Sequence, residues 1–222
     1  QKSITGINLQ TACEEWYTTP LLLKVSPDMY RIVLGKVSVL SAGELPAAMK
    51  EQAPQGVRRA RWLAGRVLLS HALSPLPDII YGEQGKPAFS ADTPLWFNLS
   101  HSGPYAFCAL SDVPVGVDVE RLRPRRVALV KRALSEEESA WYVSRGRRWE
   151  DFYTLWTCKE ARVKCLGTGL IQAPASISVP LLDSGAAATL DGLVFTTYAG
   201  EGYRAAMCSP TDTAALEWFT FS

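Results

Sequence analysis

Asp118 and Glu120 stand two residues apart in the run Gly116-Val117-Asp118-Val119-Glu120. On a strand that spacing sets both carboxylates on one face and turns Val117 and Val119 to the other. Paired carboxylates repel each other unless a cation or a proton lies between them. An isolated D-x-E is more often an exposed strand edge, but Val115, Val117 and Val119 make this run apolar enough for a buried face. Downstream, Trp156-Thr157-Cys158-Lys159-Glu160-Ala161-Arg162-Val163-Lys164 places Glu160 and Lys164 at i, i+4 on one face of an expected helix. Two readings are open for that pair. One is a solvated ion pair. The other joins Glu160 to Asp118 and Glu120 around a hard divalent ion such as Mg2+, which takes a few carboxylates and completes its shell with water and phosphate oxygens. Lys164, with Lys159, would then neutralise phosphate charge.

Two weaker signals accompany these clusters. Asn98-Leu99-Ser100-His101-Ser102-Gly103 closes a strand-like run. A lone histidine is usually a structural hydrogen-bond partner, yet two hydroxyls and a glycine beside His101 can contact an anion through side chains and backbone N–H groups. Gly85-Lys86-Pro87 reads as an ordinary surface turn when taken alone.

The elements that must position these residues follow from the pattern. Tyr30-Arg31-Ile32-Val33-Leu34 opens the first strand. A helix is expected from about Val57 to Leu73, its apolar side formed by Trp62, Leu63, Val67, Leu68 and Leu69, with Arg58, Arg61 and Arg66 facing a ligand or water. Pro75 and Pro77 end it, and glycines and prolines from Tyr81 to Pro94 suit a loop or hairpin. Short strands are expected at Leu95–Leu99, Tyr105–Leu110 and Val115–Glu120, then helices at Ala128–Leu134, Glu136–Val143 and Trp149–Leu166. From Ile177 the alternation of apolar and polar residues predicts antiparallel strands closing a second sheet. Each half sets helices against antiparallel strands, an α+β arrangement. The expected division is an N-terminal extension or tag at 1–28, a first α+β half at 29–114 and a second half at 115–222 carrying the carboxylates.

Bulk properties narrow the function. A net charge of +1 over 222 residues gives no global basicity for nucleic acid or membrane surfaces. No apolar run approaches the ~20 residues of a membrane span, and Pro20-Leu21-Leu22-Leu23, preceded by Glu14 and Glu15, is too short for a signal-peptide core. The start at Gln1 rather than Met suggests processing, a tag or a fusion. Five cysteines, odd in number and without C-x-x-C spacing, favour reduced thiols and a cytoplasmic location. His71 and His101 are the only histidines, so a histidine-rich zinc site is excluded.

The order Gly85-Lys86-Pro87, Phe97-Asn98-Leu99-Ser100-His101-Ser102, Val115 to Glu120, Phe152-Tyr153 and Trp156 to Lys164 resembles the Sfp-type 4′-phosphopantetheinyl transferases over roughly residues 29–210. Within that family, Met29 to about His101 looks most like a group of enterobacterial holo-acyl-carrier-protein synthases. The resemblance implies a pseudo-dimer of two similar α+β halves with the active site in the cleft between them, working as a monomer. It implies that Asp118, Glu120 and Glu160 hold Mg2+ on the coenzyme A pyrophosphate, with Glu160 also activating the acceptor serine. Lys164 and Lys159 would meet phosphate, Lys86 and Pro87 the nucleotide, His101 with Ser100 a coenzyme A phosphate, and Arg61 the nucleotide. The implied partners are coenzyme A and an apo-acyl or peptidyl carrier protein. Arg121, Arg123, Arg125, Arg126, Lys131 and Arg132 form either a solvated basic loop or a dock for an acidic carrier. Two other readings use the same residues: a nuclease or nucleotidyl transferase dependent on Mg2+, and a non-catalytic coenzyme A or carrier-protein binding module.

Overall fold

The computed structural model describes residues 30–82, 85–169, 172–210 and 216–221. The extension at 1–28 and the Pro20–Leu23 run lie outside the described residues. Two four-stranded sheets face each other, and each carries one long helix on its outer side. In the first, β1 (Tyr30–Lys36), β4 (Trp96–Ser102), β5 (Tyr105–Ser111) and β10 (Leu216–Phe221) lie in the order β10-β1-β5-β4. In the second, β6 (Gly116–Arg121), β7 (Ala187–Leu190), β8 (Leu193–Gly200) and β9 (Tyr203–Ser209) lie in the order β6-β9-β8-β7. A separate hairpin pairs β2 (Ile79–Tyr81) with β3 (Pro87–Phe89).

The helices are α1 (Val37–Leu40), α2 (Ala47–Glu51), α3 (Arg59–Ala72), α4 (Val127–Ala133), α5 (Glu136–Ser144) and α6 (Trp149–Leu166). Period-2 alternation builds the layers. Val33 packs with Leu68, Leu69 and Phe97 beneath α3. Its neighbours Ile32 and Leu34 turn the other way, to meet Val117, Val119, Phe107 and Met207 between the sheets. Phe152, Leu155, Phe195, Ala206 and Cys208 fill the space between α6 and the second sheet. Each such large side chain contributes roughly 1.5–3 kcal/mol by leaving water. The result is an α+β protein of helix, sheet, sheet and helix layers.

The last strand departs from expectation. β7, β8 and β9 are antiparallel neighbours, but β10 leaves them and pairs in parallel with β1 of the first sheet. The 114/115 division therefore separates chain segments without separating the sheets.

Local chemistry fixes the helix ends near the site. Ser135 and Glu138 form a reciprocal capping box at the start of α5. Glu150 and Asp151 sit in the first turn of α6, where negative charge suits the helix dipole. Gly167, at φ 69°, ends α6 in a left-handed conformation that costs a residue without Cβ little. No helix among the described residues is long and apolar enough to cross a membrane.

Candidate active site

The carboxylates stand where an edge of the second sheet meets the first. Val117 and Val119 enter the core between the sheets, so Asp118 and Glu120 turn toward α6, as the D-x-E spacing predicts. Across the seam, β4 offers a polar side chain at every second residue. Asn98 Oδ1 accepts from the Val117 N–H at 2.9 Å, and Ser100 Oγ accepts from the Val119 N–H at 3.2 Å. Ser100 also donates to Asp118 Oδ1 at 2.7 Å, and Ser102 donates to Glu120 Oε2. Three side chains thus replace a backbone ladder between β4 and β6, and they orient both acids.

Helix α6 completes the site because Gly116 lets it come close. A Cβ at Gly116 would overlap the carbonyl of Ala161 and the backbone of Cys165. That contact sets the face holding Glu160 and Lys164 beside β6. Lys164 Nζ meets Asp118 Oδ1 at 2.7 Å and donates to Ser100 Oγ and the Val117 carbonyl at 3.1 Å each. Of the two readings open for Glu160 and Lys164, the simple i, i+4 ion pair is not formed; Lys164 pairs with Asp118 instead. Lys86 Nζ reaches over from the β2–β3 hairpin and donates to the Lys164 carbonyl at 2.8 Å, where it serves the last turn of α6. Pro87 begins β3 directly after it.

The acids crowd one another. Burial first, then the Asp118 charge, holds the Glu160 carboxyl above the ordinary glutamate range. Burial raises Glu120 as well; the Ser102 hydrogen bond opposes it, while Asp118 adds to the rise. Among the described residues no group of three His, Cys, Asp or Glu side chains is arranged as a ready metal cluster. One coordination position on Asp118 is taken by Lys164 instead. The donor set nonetheless fits a hard cation: all three acids offer oxygen ligands, the Asp118 charge bears on both Glu120 and Glu160, and Asp118 Oδ2 is buried without a hydrogen-bond partner.

Other expected residues lie elsewhere. Lys159 does not face the carboxylates. It is buried, with Nζ 2.7 Å from Glu138 Oε1 and hydrogen bonds to the Pro174 and Ile177 carbonyls, because it points about 100° away from Glu160 around the helix. Arg66 likewise faces neither ligand nor water. It is buried, stacks over Trp62 at 4.7 Å and donates to Tyr81 Oη at 2.7 Å. His101 is exposed on the α3 side of β4, along with Leu99, and so opposite Ser100 and Ser102. Arg61 is exposed in the first turn of α3. Ala72 at the far end of α3 binds Arg31, whose partner Leu110 pairs with Phe97, while Gly65 lies over Leu99. The helix therefore runs antiparallel to β4, with Arg61 toward the His101 end. Arg162, in the motif helix, holds the Ser178 carbonyl and Asp191 and acts in packing.

The structure adds roles that the sequence did not assign. Asn98 and Ser102, read from the sequence only as neighbours of His101, belong to the seam, and the alternation Asn98, Ser100, Ser102 was their signal. Arg125, expected only as part of the basic loop, is tied to the site as well. Its Nε donates to Tyr153 Oη at 3.2 Å, Tyr153 donates to the Arg123 carbonyl at 3.1 Å, and the guanidinium charge is felt by Glu120. The exposed basic loop thus begins at the lip of the site.

Comparison with known proteins identifies relatives of the chain. Residues 114–208 match the model of the 4'-phosphopantetheinyl transferase superfamily. The chain is 58% identical over 144 residues to 4'-phosphopantetheinyl transferase AcpT of Escherichia coli O157:H7, covering 63% of this chain and 74% of that one. A Salmonella typhi protein of the same name is 59% identical over 144 residues, 63% of this chain and 75% of its own. The 4'-phosphopantetheinyl transferase of Bacillus subtilis is 32% identical over 196 residues, 77% of this chain and 87% of its own. Asp118, Glu120, Glu160 and Lys164 lie inside the family match and the β4 residues Asn98, Ser100 and Ser102 precede it; on the identity and coverage of these relatives the chain belongs to the 4'-phosphopantetheinyl transferase family.

Proposed function

We propose that this chain transfers the 4′-phosphopantetheine group of coenzyme A to a serine of an apo-carrier protein and releases adenosine 3′,5′-bisphosphate. The observation that carries this reading is the meeting of Asp118 and Lys164 with Ser100 at the seam, with Glu120 and Glu160 coupled to Asp118 beside them. The serine hydroxyl attacks the β-phosphorus, a new P–O bond forms, and the bond to the bridging oxygen breaks. The leaving group departs as a phosphate and needs little acid assistance. Serine is a weak nucleophile until its proton is taken, so Glu160 accepts that proton directly or through water. Lys164, released from Asp118, carries positive charge to the pyrophosphate. Asp118, Glu120 and Glu160 would hold Mg2+, whose chemistry is to neutralise charge on the pyrophosphate oxygens. Lys86 and Pro87 on the hairpin, with Arg61 and His101 on the α3 side, are assigned to the nucleotide end of coenzyme A, and Ser100 to a phosphate.

Arg125 and Arg126 are assigned to an acidic face of the carrier protein, since the Arg125 charge already acts on Glu120. We take the protein to act as a monomer in a reducing, cytoplasmic setting; the buried free thiols of Cys108, Cys158, Cys165 and Cys208 suit that setting.

The test is incubation with coenzyme A, Mg2+ and an apo-carrier protein. A carrier mass gain equal to phosphopantetheine, abolished by Glu160→Ala, is expected. Coenzyme A binding without any mass gain would favour the non-catalytic module. Reversing Arg125 and Arg126 to Glu should raise KM for the carrier at low salt, and an unchanged KM would remove the docking assignment.

A further inference from the structure

Lys159 lies next to Glu160 in sequence yet takes no part in the carboxylate site. It is 1% exposed, one of the most deeply buried side chains of the protein. A lysine ammonium has three hydrogens, and here each has a partner: Glu138 Oε1 at 2.7 Å, the Pro174 carbonyl at 2.9 Å and the Ile177 carbonyl at 2.7 Å. Glu138, itself 3% exposed, is fixed independently, because its other oxygen accepts from the Ser135 N–H in the capping box of α5. The ammonium is therefore a tripod that ties α6 to the start of α5 and to the turn at Pro174–Ser176.

A buried ion pair is a poor source of stability, because withdrawing both charges from water offsets most of their attraction. An apolar pair of similar volume would hold the layers together at least as well. What the tripod adds is direction. Residues on a helix advance about 100° each, so Glu160 and Lys164 occupy a face bracketed by two fixed contacts. On one side is Lys159 with its three partners. On the other, Ala161 and Cys165 lie directly against the Gly116 backbone. With both flanks held, α6 cannot turn about its axis, and Glu160 and Lys164 can face only the seam.

We propose that Lys159, through Glu138, is a positioning residue for the transfer reaction, setting the rotation of α6 and hence the aim of Glu160 and Lys164. This rests on the transferase reading above. Misplacing a reacting group by about 1 Å can cost about a hundredfold in rate, so the effect belongs in kcat.

The experiment compares wild type, K159M and the charge-free pair K159M/E138M in the full chain, reading Tm, kcat, KM for coenzyme A and amide hydrogen exchange over residues 160–166. K159M leaves Glu138 buried and unpaired, so Tm and kcat both fall. The double variant, free of the unpaired charge but without the Ser135 cap and the two carbonyl contacts, is expected to melt above K159M and below wild type, while kcat stays at least tenfold down, KM changes less than threefold, and the 160–166 amides exchange faster. A double variant that folds and recovers wild-type kcat overturns the proposal. Should the double variant not fold, E138Q carries the comparison: a fivefold or larger loss of kcat at constant KM supports positioning, and wild-type kcat refutes it. If wild type itself modifies no apo-carrier, the transferase reading fails alone. Amide exchange in the double variant then decides, with unchanged protection counting against positioning.

Discussion

Helices α3 and α6 cover equivalent outer faces of the two sheets, yet they approach them differently. α3 rests on a side chain, with Gly65 lying over Leu99. α6 rests on backbone, with Ala161 and Cys165 against Gly116. Each helix also buries a cation, and burial lowers the pKa of both. Arg66 shares its charge with the Trp62 ring and a half-exposed hairpin tyrosine, whereas Lys159 is matched by a buried carboxylate. A layer spaced by a leucine can adjust when that leucine changes rotamer. A layer spaced by peptide groups cannot. The carboxylate site lies on the unyielding side, where small displacements of α6 matter most.

The sharpest way to break this contrast is Gly116→Ala. No side chain can move aside there, so we expect a loss of more than about 4 kcal/mol or failure to fold, read from denaturant unfolding; near-wild-type stability would mean that α6 has slack. Next, Glu160→Gln should lower kcat by about 10²–10⁴-fold, the range of a lost general base, while Tm stays close to wild type. Ser100→Ala strips the Val119 N–H and Asp118 of a partner, and a loss of about 1–3 kcal/mol is expected for the unsatisfied groups, seen as a fall in Tm.

A smaller effect concerns pH. Glu120 and Glu160 have raised folded pKa values, so their contribution to stability is present below the ordinary glutamate range and is lost as pH rises through the folded values. Without divalent ions, E120Q/E160Q should therefore melt above wild type at neutral pH, the gap closing as pH falls to about 4. A pH-independent gap would show that the two acids are not crowded. Least of all, Gly65→Ala should be neutral or stabilising by up to about 1 kcal/mol, since the new methyl would meet Leu99 Cδ1 at an ordinary 3.4 Å.

The parts of this architecture that depend on local period were legible in the chain. The motif helix runs from Trp149 to Leu166 as its pattern demands, and the D-x-E strand turns its valines inward. Strand and helix periodicity fixed which face each carboxylate and Lys164 takes, and the resemblance to the transferase family is what grouped them. What sequence reasoning missed depends on distant contacts. Nothing in Leu216–Phe221 announces a parallel partner at β1. Lys159 and Lys164 look alike in the motif, and only the placement of Glu138 and the Pro174 turn separates a buried tether from a site residue. Arg66 reads from the sequence as facing a ligand or water because its partner, Tyr81, comes from a hairpin fifteen residues on.

The rungs between β4 and β6 have a further consequence, for behaviour in crowded solution. Both strands end their sheets, and an open strand border is a template on which another molecule can pair. Asn98 and Ser100 occupy the Val117 and Val119 amides that such a visitor would need. The polar residues that aim the acids therefore also shield the protein from edge-to-edge self-association, so loosening them to reshape the catalytic chemistry would invite precipitation as well as lost turnover.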